Sequence, residues 1–380
     1  MALVAFPHSE PNSNPFQVYR LPQDCYIDAL RWLPQLSAFH RRILLATFDS
    51  DTSSSSLQTL TYTPSPPNSN PHSESTPPPP ELSLQSSYQT TSRVTSVKTF
   101  LTPQSQKPII AASTLSGSLL VLTADSLNGS LDFGFSVSGK GFHRGTISGI
   151  DLGENGSDSV VSVGEDGRIN FVGLGNGSNG SYQRVFDSNG LVSYSAVKWA
   201  SPVEFVTGGL GFSLQWWDQR RPGGPVSQYK GNWSAGSTSR IIHSIDIHSS
   251  RKHTCLAGGS LGMVFAWDIR WQNQPIILSG AGTAANSAYT PCESEVWEVQ
   301  FDNYSHSSNI HNLSSSRVLP AMICSEDGIL AVVEQSNFPY LIFFFLILYR
   351  TNRCLHKFLF HIDIAPFCGH GGCLFRLLSV

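Results

Sequence analysis

The sequence predicts an all-β fold of repeated small antiparallel sheets, and three observations predict it: composition, an internal repeat, and the turn residues that punctuate the repeat. Of 380 residues, 40% are hydrophobic, 11% aromatic and only 13% charged, with 32 Gly and 23 Pro. Short strands joined by tight turns suit that mixture, whereas long solvated helices need more charge. Length does not separate one domain from two, because all-β barrels and propellers of this size form single units.

The first unit is a degenerate copy: Tyr26 to Trp32, Ile43 to Phe48 and Leu57 to Tyr62 alternate as strands. Around its last strand, from Asp49 to Ser92, composition shifts to Ser, Thr and Pro, including Pro77 to Pro80. Proline cannot donate to a sheet ladder, and so few apolar residues do not offset ordering entropy. The segment therefore reads as a disordered insertion at about 49–92.

Five clearer units follow, each a strand, a short gap, a strand of small and β-branched residues, a tight turn and a third strand. They start with Val94 to Phe100, Ile109 to Ser113 and Leu119 to Leu122, then Ile147 to Leu152, Val160 to Val163 and Ile169 to Val172. Next come Ala196 to Trp199, Phe205 to Thr207 and Phe212 to Trp217, then Ile242 to Ile247, Cys255 to Ala257 and Met263 to Trp267. The last has Val296 to Phe301, Ala321 to Cys324 and Ile329 to Val333. The expected turn residues are Asp166-Gly167, Gly208-Gly209, Gly258-Gly259 and Asp327-Gly328, since Asp-Gly and Gly-Gly supply the φ > 0 positions of a two-residue hairpin. Measured between Gly117, Gly167, Gly211, Gly262 and Gly328, the period is roughly 45 to 65 residues, a propeller blade plus loop insertions. One small sheet cannot bury both faces alone, so the units must stack around an axis. The stretch from Asn273 to Glu293 reads as a smaller polar insertion.

Beyond Gln335 the turn punctuation stops, and Phe338 to Val380 is rich in Phe, Leu, Cys and His. The expectation is a propeller over 1–335, seven-bladed with the last blade degenerate or incomplete, and a divergent apolar tail over 336–380. Phe16 to Leu21 alternates well enough to clasp first and last blades together. The run Tyr340 to Tyr349 is shorter than the ~20 residues of a bilayer span and reads as a strand or as tail.

Net charge of -3 and a pI near 6.4 give no basic footprint for nucleic acid. Arg41-Arg42 and Arg220-Arg221 are isolated pairs. The seven cysteines lack framework spacing, and Met1 to Phe6 stops at Pro7, too short for a signal sequence. Free thiols and a reducing compartment follow, and the N-x-S triplets, such as that at Asn128, read as turns. Gly258-Gly259-Ser260-Leu261-Gly262 fits a G-x-S-x-G elbow, but an alternating strand follows where a helix is required. Gly175 to Gly180 fits G-x-G-x-x-G without a following amphipathic helix. Cys368, His370 and Cys373 form no paired C-x-x-C arrangement. No catalytic residue, metal or cofactor is expected.

Two sites stand out: Trp217-Asp218-Gln219-Arg220 and Trp267-Asp268-Ile269-Arg270, each closing a third strand. These endings resemble the Trp-Asp dipeptide of WD repeats, in which the aromatic packs between blades. With the added Arg they also resemble the W-D-x-R box of proteins that dock onto the adaptor of cullin-RING ubiquitin ligases. A more specific resemblance rests on several motifs in one order: Val163 to Phe171 (VGEDGRINF), Glu295 to Val299 (EVWEV) and Cys324 to Gly328 (CSEDG), with the W-D-x-R strands between. Over about Tyr26 to Gln335 the chain resembles the small WD-repeat propeller nucleoporins of the Y-shaped outer-ring subcomplex of the nuclear pore. That resemblance implies a non-catalytic scaffold at the nuclear envelope, with other outer-ring nucleoporins as partners and a role in nucleocytoplasmic transport of mRNA and protein. The alternative is a substrate receptor of a cullin-RING ligase.

Overall fold

The computed structural model describes residues 24–34, 41–63, 80–101, 107–125, 128–153, 159–175, 180–211, 213–230, 240–270, 276–279, 292, 294–301, 319–335, 341–347, 363–364 and 375–376. Among these, strands form six four-stranded antiparallel sheets, here blades 1 to 6 in chain order, and one two-stranded pair. In each blade the strands lie side by side in sequence order, from inner to outer. The inner strands are Tyr26–Trp32, Val94–Phe100, Ile147–Leu152, Tyr194–Ser201, Ile242–Ile247 and Val296–Phe301. They surround a central channel of about 500 Å³. Among the described residues the one helix, Ser260–Gly262, is a 3-10 turn inside blade 5.

Burial explains the ring. Apolar residues of successive blades merge into shared cores: Leu44 and Leu57 of blade 1 with Ile110 and Leu122 of blade 2, and Leu119 of blade 2 with Ile147 and Val160 of blade 3. Blades 3 and 4 share Val161, Val163, Phe205 and Trp217, blades 4 and 5 share Trp216, Ile245 and Trp267, and blades 5 and 6 share Leu256, Val264, Val296 and Ile323.

Each blade has a fourth, outer strand that the three-strand repeat did not reveal. Two of these lie inside supposed insertions. Residues 49–92 contain the third and outer strands of blade 1, Ser54–Thr63 and Glu81–Thr90, with 64–79 outside the described residues. Their hydroxyl groups explain the correction: Ser55, Ser56 and Thr59 are buried, yet Thr59 Oγ1 donates to the Gly129 carbonyl at 2.6 Å, and Ser56 Oγ lies 2.9 Å from Thr47 Oγ1. A Ser/Thr-rich strand is thus stabilised by satisfied polar groups instead of apolar mass. Within Asn273 to Glu293, Ile276–Ser279 is the outer strand of blade 5.

The boundary at residue 335 also moves. Leu341–Ile347, from the expected tail, pairs with Ile329–Gln335 as the outer strand of blade 6. Farther along, Asp363–Ile364 pairs with Phe375–Arg376. Phe16 to Leu21, Asn176 to Asn179, and Cys368, His370 and Cys373 lie outside the described residues.

The glycines divide into two kinds. Gly167 and Gly328 sit at turns with φ of +74° and +77°, as the Asp-Gly hairpins require. Gly208, Gly209, Gly258 and Gly259 do not turn the chain; they end the second strands Glu204–Gly209 and Thr254–Gly259, and the turns fall at Gly211 and Gly262, φ +75° and +68°. Gly208 and Gly258 are needed for close approach instead: a Cβ there would meet Ile242 Cγ2 at 2.8 Å and Val299 Cγ1 at 2.6 Å, both in the next blade. The prediction is an ordering. Gly211→Ala, with open space around its Cβ, should cost about 1–2 kcal/mol of left-handed strain. Gly209→Ala should cost more, because its Cβ would overlap the Ser193 carbonyl oxygen and the backbone must move. Thermal unfolding of the two variants gives the comparison, and equal losses would contradict the packing account.

Candidate interaction surfaces

Five of the six inner strands share one grammar, apolar, polar, small or polar, apolar, polar or charged, and blade 6 departs from it with Trp297 at the second position. It runs Ile27-Asp28-Ala29-Leu30-Arg31 in blade 1, Val94-Thr95-Ser96-Val97-Lys98 in blade 2, and Ile242-His243-Ser244-Ile245-Asp246 in blade 5. In every blade the second residue of this pattern is skipped by the ladder, a bulge at Asp28, Thr95, Ser148, Ser195, His243 and Trp297. A bulge re-aims a side chain, and in blades 1 to 5 it aims at the next blade, whereas Trp297 of blade 6 lies back against His243 of blade 5, ring centroids 4.2 Å apart. The Arg93 guanidinium forks onto the Asp28 carboxylate at 2.6–3.0 Å. Thr95 Oγ1 donates to the Ile147 carbonyl at 2.6 Å, Ser148 Oγ to that of Tyr194 at 2.5 Å, and Ser195 Oγ to that of Ile242. His243 Nε2 lies 2.6 Å from Glu295 Oε2. Five successive links therefore stitch the inner wall.

Charged residues of the same strands line the channel. Lys98 pairs with Asp151 at 3.4 Å and Lys198 with Asp246 at 3.3 Å, each across one blade boundary. Asp151 and Asp246 also accept from the Trp199 and Phe301 N–H groups of the following blades. Arg31 of blade 1 reaches Glu298 of blade 6 at 3.5 Å.

Because the strands alternate in direction, each blade has two ends. Turns between second and third strands share one face with the connections that lead to the next inner strand. Turns between third and outer strands share the opposite face. Asp166-Gly167 and Asp327-Gly328 therefore lie on the first face, and both Trp-Asp-x-Arg endings on the second.

On the first face Asp166 anchors a buried network. Its carboxylate lies 3.1 Å from His143 Nδ1 and accepts from the Arg144 N–H at 2.8 Å. With Nδ1–H donated to Asp166, His143 Nε2 is left to accept from Asn170 Nδ2 at 2.9 Å and Ser162 Oγ at 3.0 Å. Arg168 and Arg184 both bind Asp187, at 3.0 and 2.8 Å. Burial works against ionising Asp166, yet the hydrogen bonds from His143 and the backbone outweigh it and hold its carboxyl below the usual range. In blade 6 Asp327 accepts from Ser294 Oγ at 2.6 Å and from Ser325 Oγ at 2.5 Å.

On the second face the indoles are buried between blades. Trp217 lies 5.1 Å from Phe186 of blade 3 and donates to Thr207 Oγ1 at 2.9 Å; Trp267 packs edge-on to Trp216 of blade 4. Asp218 is clamped by Arg220 through two contacts of 2.8 Å, and Arg220 holds its carboxyl down at about 2. Asp268 and Arg270 repeat the clamp at 2.5–3.2 Å. Both guanidinium groups stand at the surface, 65% and 51% exposed.

Ser260 occupies the 3-10 turn and its Oγ accepts from the Ile241 N–H at 3.0 Å, so the G-x-S-x-G string is a hairpin and not a strand-to-helix elbow. The free thiols of Cys255 and Cys292 are pushed up by burial to about 12 and about 11, which leaves little thiolate for nucleophilic chemistry. Among the described residues no group of three or more His, Cys, Asp or Glu could hold a metal ion, and no helix is long and apolar enough to cross a membrane. Sequence reasoning missed the bulge residues and His143; the aligned inner-strand pattern is the signal that would have found the bulges.

No protein-family model matches the chain. It is 51% identical over 328 residues to the nuclear pore complex protein NUP43 of Arabidopsis thaliana, spanning 85% of this chain and 88% of that relative. It is 32% identical to nucleoporin Nup43 of Homo sapiens and 31% identical to that of Mus musculus, each over 169 residues, 44% of this chain and 37% of the relative.

The Asp166 network predicts a pH effect. A carboxyl lower in the folded chain than in the unfolded one, where it titrates near about 3.9, stabilises the fold above that value and loses the contribution as pH falls through the lowered folded value. Urea midpoints at pH 5 and pH 3 should therefore differ less in Asp166→Asn than in the parent chain. An unchanged difference would remove Asp166 from the acid-sensitive set.

Proposed function

The chain belongs to the Nup43 family of nuclear pore complex proteins, and we propose that it acts at the nuclear envelope as a rigid, non-catalytic scaffold in the outer ring of the pore. Its partners in this reading are other outer-ring nucleoporins, and its contribution to transport of mRNA and protein is structural. The observation that carries the reading is similarity over 85% of the chain to a pore component, joined to a ring stitched at five successive blade boundaries. Such a ring holds its surface turns in fixed relation, as a scaffold requires.

A seven-bladed closure belongs to the same proposal. Blade 2 covers one face of blade 1, yet Leu30, Ile43, Leu45 and Tyr62 on the other face are also buried, with Trp32 edge-on to Tyr62 at 5.8 Å. A further layer between blades 6 and 1 is the reading that this burial supports.

The Trp-Asp-x-Arg endings weigh on the side of the scaffold against the ligase receptor. Each guanidinium is already forked onto the acid two residues before it, an arrangement that stabilises a turn locally. Arg220→Ala combined with Arg270→Ala should keep the fold, the nuclear-rim signal and the co-purifying nucleoporins. As ligase anchors the same arginines would each contribute about tenfold or more in affinity. Recovery of a cullin adaptor by the parent chain, its loss from the double variant, and no nucleoporins with either would establish the ligase reading.

A further inference from the structure

The turns between second and third strands each present one tip on the same face of the ring. In blades 2, 4 and 5 that tip carries leucine: Leu115, Leu210 and Leu261 are 47%, 47% and 39% exposed. In blades 3 and 6 it carries the exposed acids Glu165 and Glu326. Leu191, 89% exposed, lies on the same face in the connection from blade 3 to blade 4. Scattered exposed leucines are ordinary, but a set at corresponding turn tips of one face marks a contact surface.

Leu261 supplies an independent observation. Its backbone is left-handed, φ 60° and ψ 37°, a region that glycine or asparagine occupies with little strain and leucine does not. Gly262 beside it already provides the turn's flexible residue. The chain thus keeps a strained leucine whose side chain is not compensated by burial, and strain of that kind collects at ligand-contacting positions.

The tips offer side chains and no strand edge, because their N–H groups point inward. Leu115 N–H donates to the Arg93 carbonyl at 2.9 Å, Leu210 to Ser193 at 3.1 Å and Ser260 to Ile241 at 3.0 Å. A partner must then bring its own satisfied backbone, which an α-helix does while presenting an apolar stripe with charged flanks. Exposed Lys140 and Arg144 lie in the loop entering blade 3, the blade whose tip carries Glu165, whereas the described residues of blade 6 around Glu326, 294–301 and 319–335, contain no Lys or Arg. Glu326 therefore sets the sign of the flank.

Resting on the scaffold reading above, we propose that this face docks an amphipathic α-helix of a partner nucleoporin. Its apolar stripe lies over Leu191, Leu210 and Leu261, with Lys or Arg on the flank toward Glu326.

The test uses the tagged full chain purified from cells, with nucleoporins quantified by mass spectrometry and thermal unfolding measured in parallel. Leu191→Asp with Leu210→Asp should lower nucleoporin recovery about tenfold at an unchanged melting temperature, and Glu326→Lys should lower it too. Leu261→Asn should separate the effects, raising the melting temperature by relieving strain while lowering recovery. A benzoyl-phenylalanine photo-crosslinker at position 210 should join to a segment with apolar residues at i, i+3, i+4 and i+7 and flanking Lys or Arg. Full recovery by all these variants, or crosslinks only to an extended segment or a second copy of this chain, would overturn the helix proposal and leave the scaffold reading intact. Failure of the parent chain to recover any nucleoporin would instead overturn the scaffold reading, and this proposal with it.

Discussion

A four-stranded sheet with apolar side chains on both faces cannot keep either face dry alone, and the rest of this structure follows from that constraint. Each blade is buried by its neighbours, so its core belongs half to the blade before and half to the blade after. Glycines at 208 and 258 are demanded by the neighbouring blade, through Ile242 and Val299, and not by their own turns. The same constraint places Trp217 and Trp267 where they are, as aromatic filling shared between neighbouring sheets.

Apolar contact is permissive about register, and the inner wall supplies what it lacks. In blades 1 to 5 a bulge at one position of the inner strand turns a polar side chain out of its ladder and onto the next blade, where it meets a carbonyl oxygen or an opposite charge at a defined distance. Slipping one blade along another would break these bonds while leaving most apolar area buried. The links therefore fix the relative setting of blades that hydrophobic burial only holds together. Buried polar groups such as Ser55, Thr59 and His143 are tolerated for the same reason: each is satisfied by a specific partner.

The two faces of the ring inherit different chemistry from strand direction alone. One collects the hairpin tips and the Asp166 network, the other the Trp-Asp-x-Arg clamps. On the second face the charged groups are spent on each other within two residues of sequence. The first combines turns with exposed leucines and acids.

Much of this was legible in order along the chain. Alternation located the inner strands Val94–Phe100, Ile147–Leu152, Ile242–Ile247 and Val296–Phe301 to the residue, because the inner wall is where period-two patterning is strongest. Outer strands such as Tyr182–Asp187 and Glu81–Thr90 were not legible, since both of their faces are largely wet and alternation has nothing to report. The third strand of blade 1 was legible from Leu57 to Tyr62, but its Ser54 to Ser56 start was hidden because hydroxyls bonded across the sheet look, in sequence, like hydroxyls bonded to water. Sequence by itself determined the repeat, the hairpin glycines at 167 and 328 and the Trp-Asp-x-Arg pairs, all of which are set within a few residues. Only tertiary structure decided which glycines serve packing, which polar side chains cross to the next blade, and which motifs share a face, because each depends on atoms roughly one blade period away in the chain.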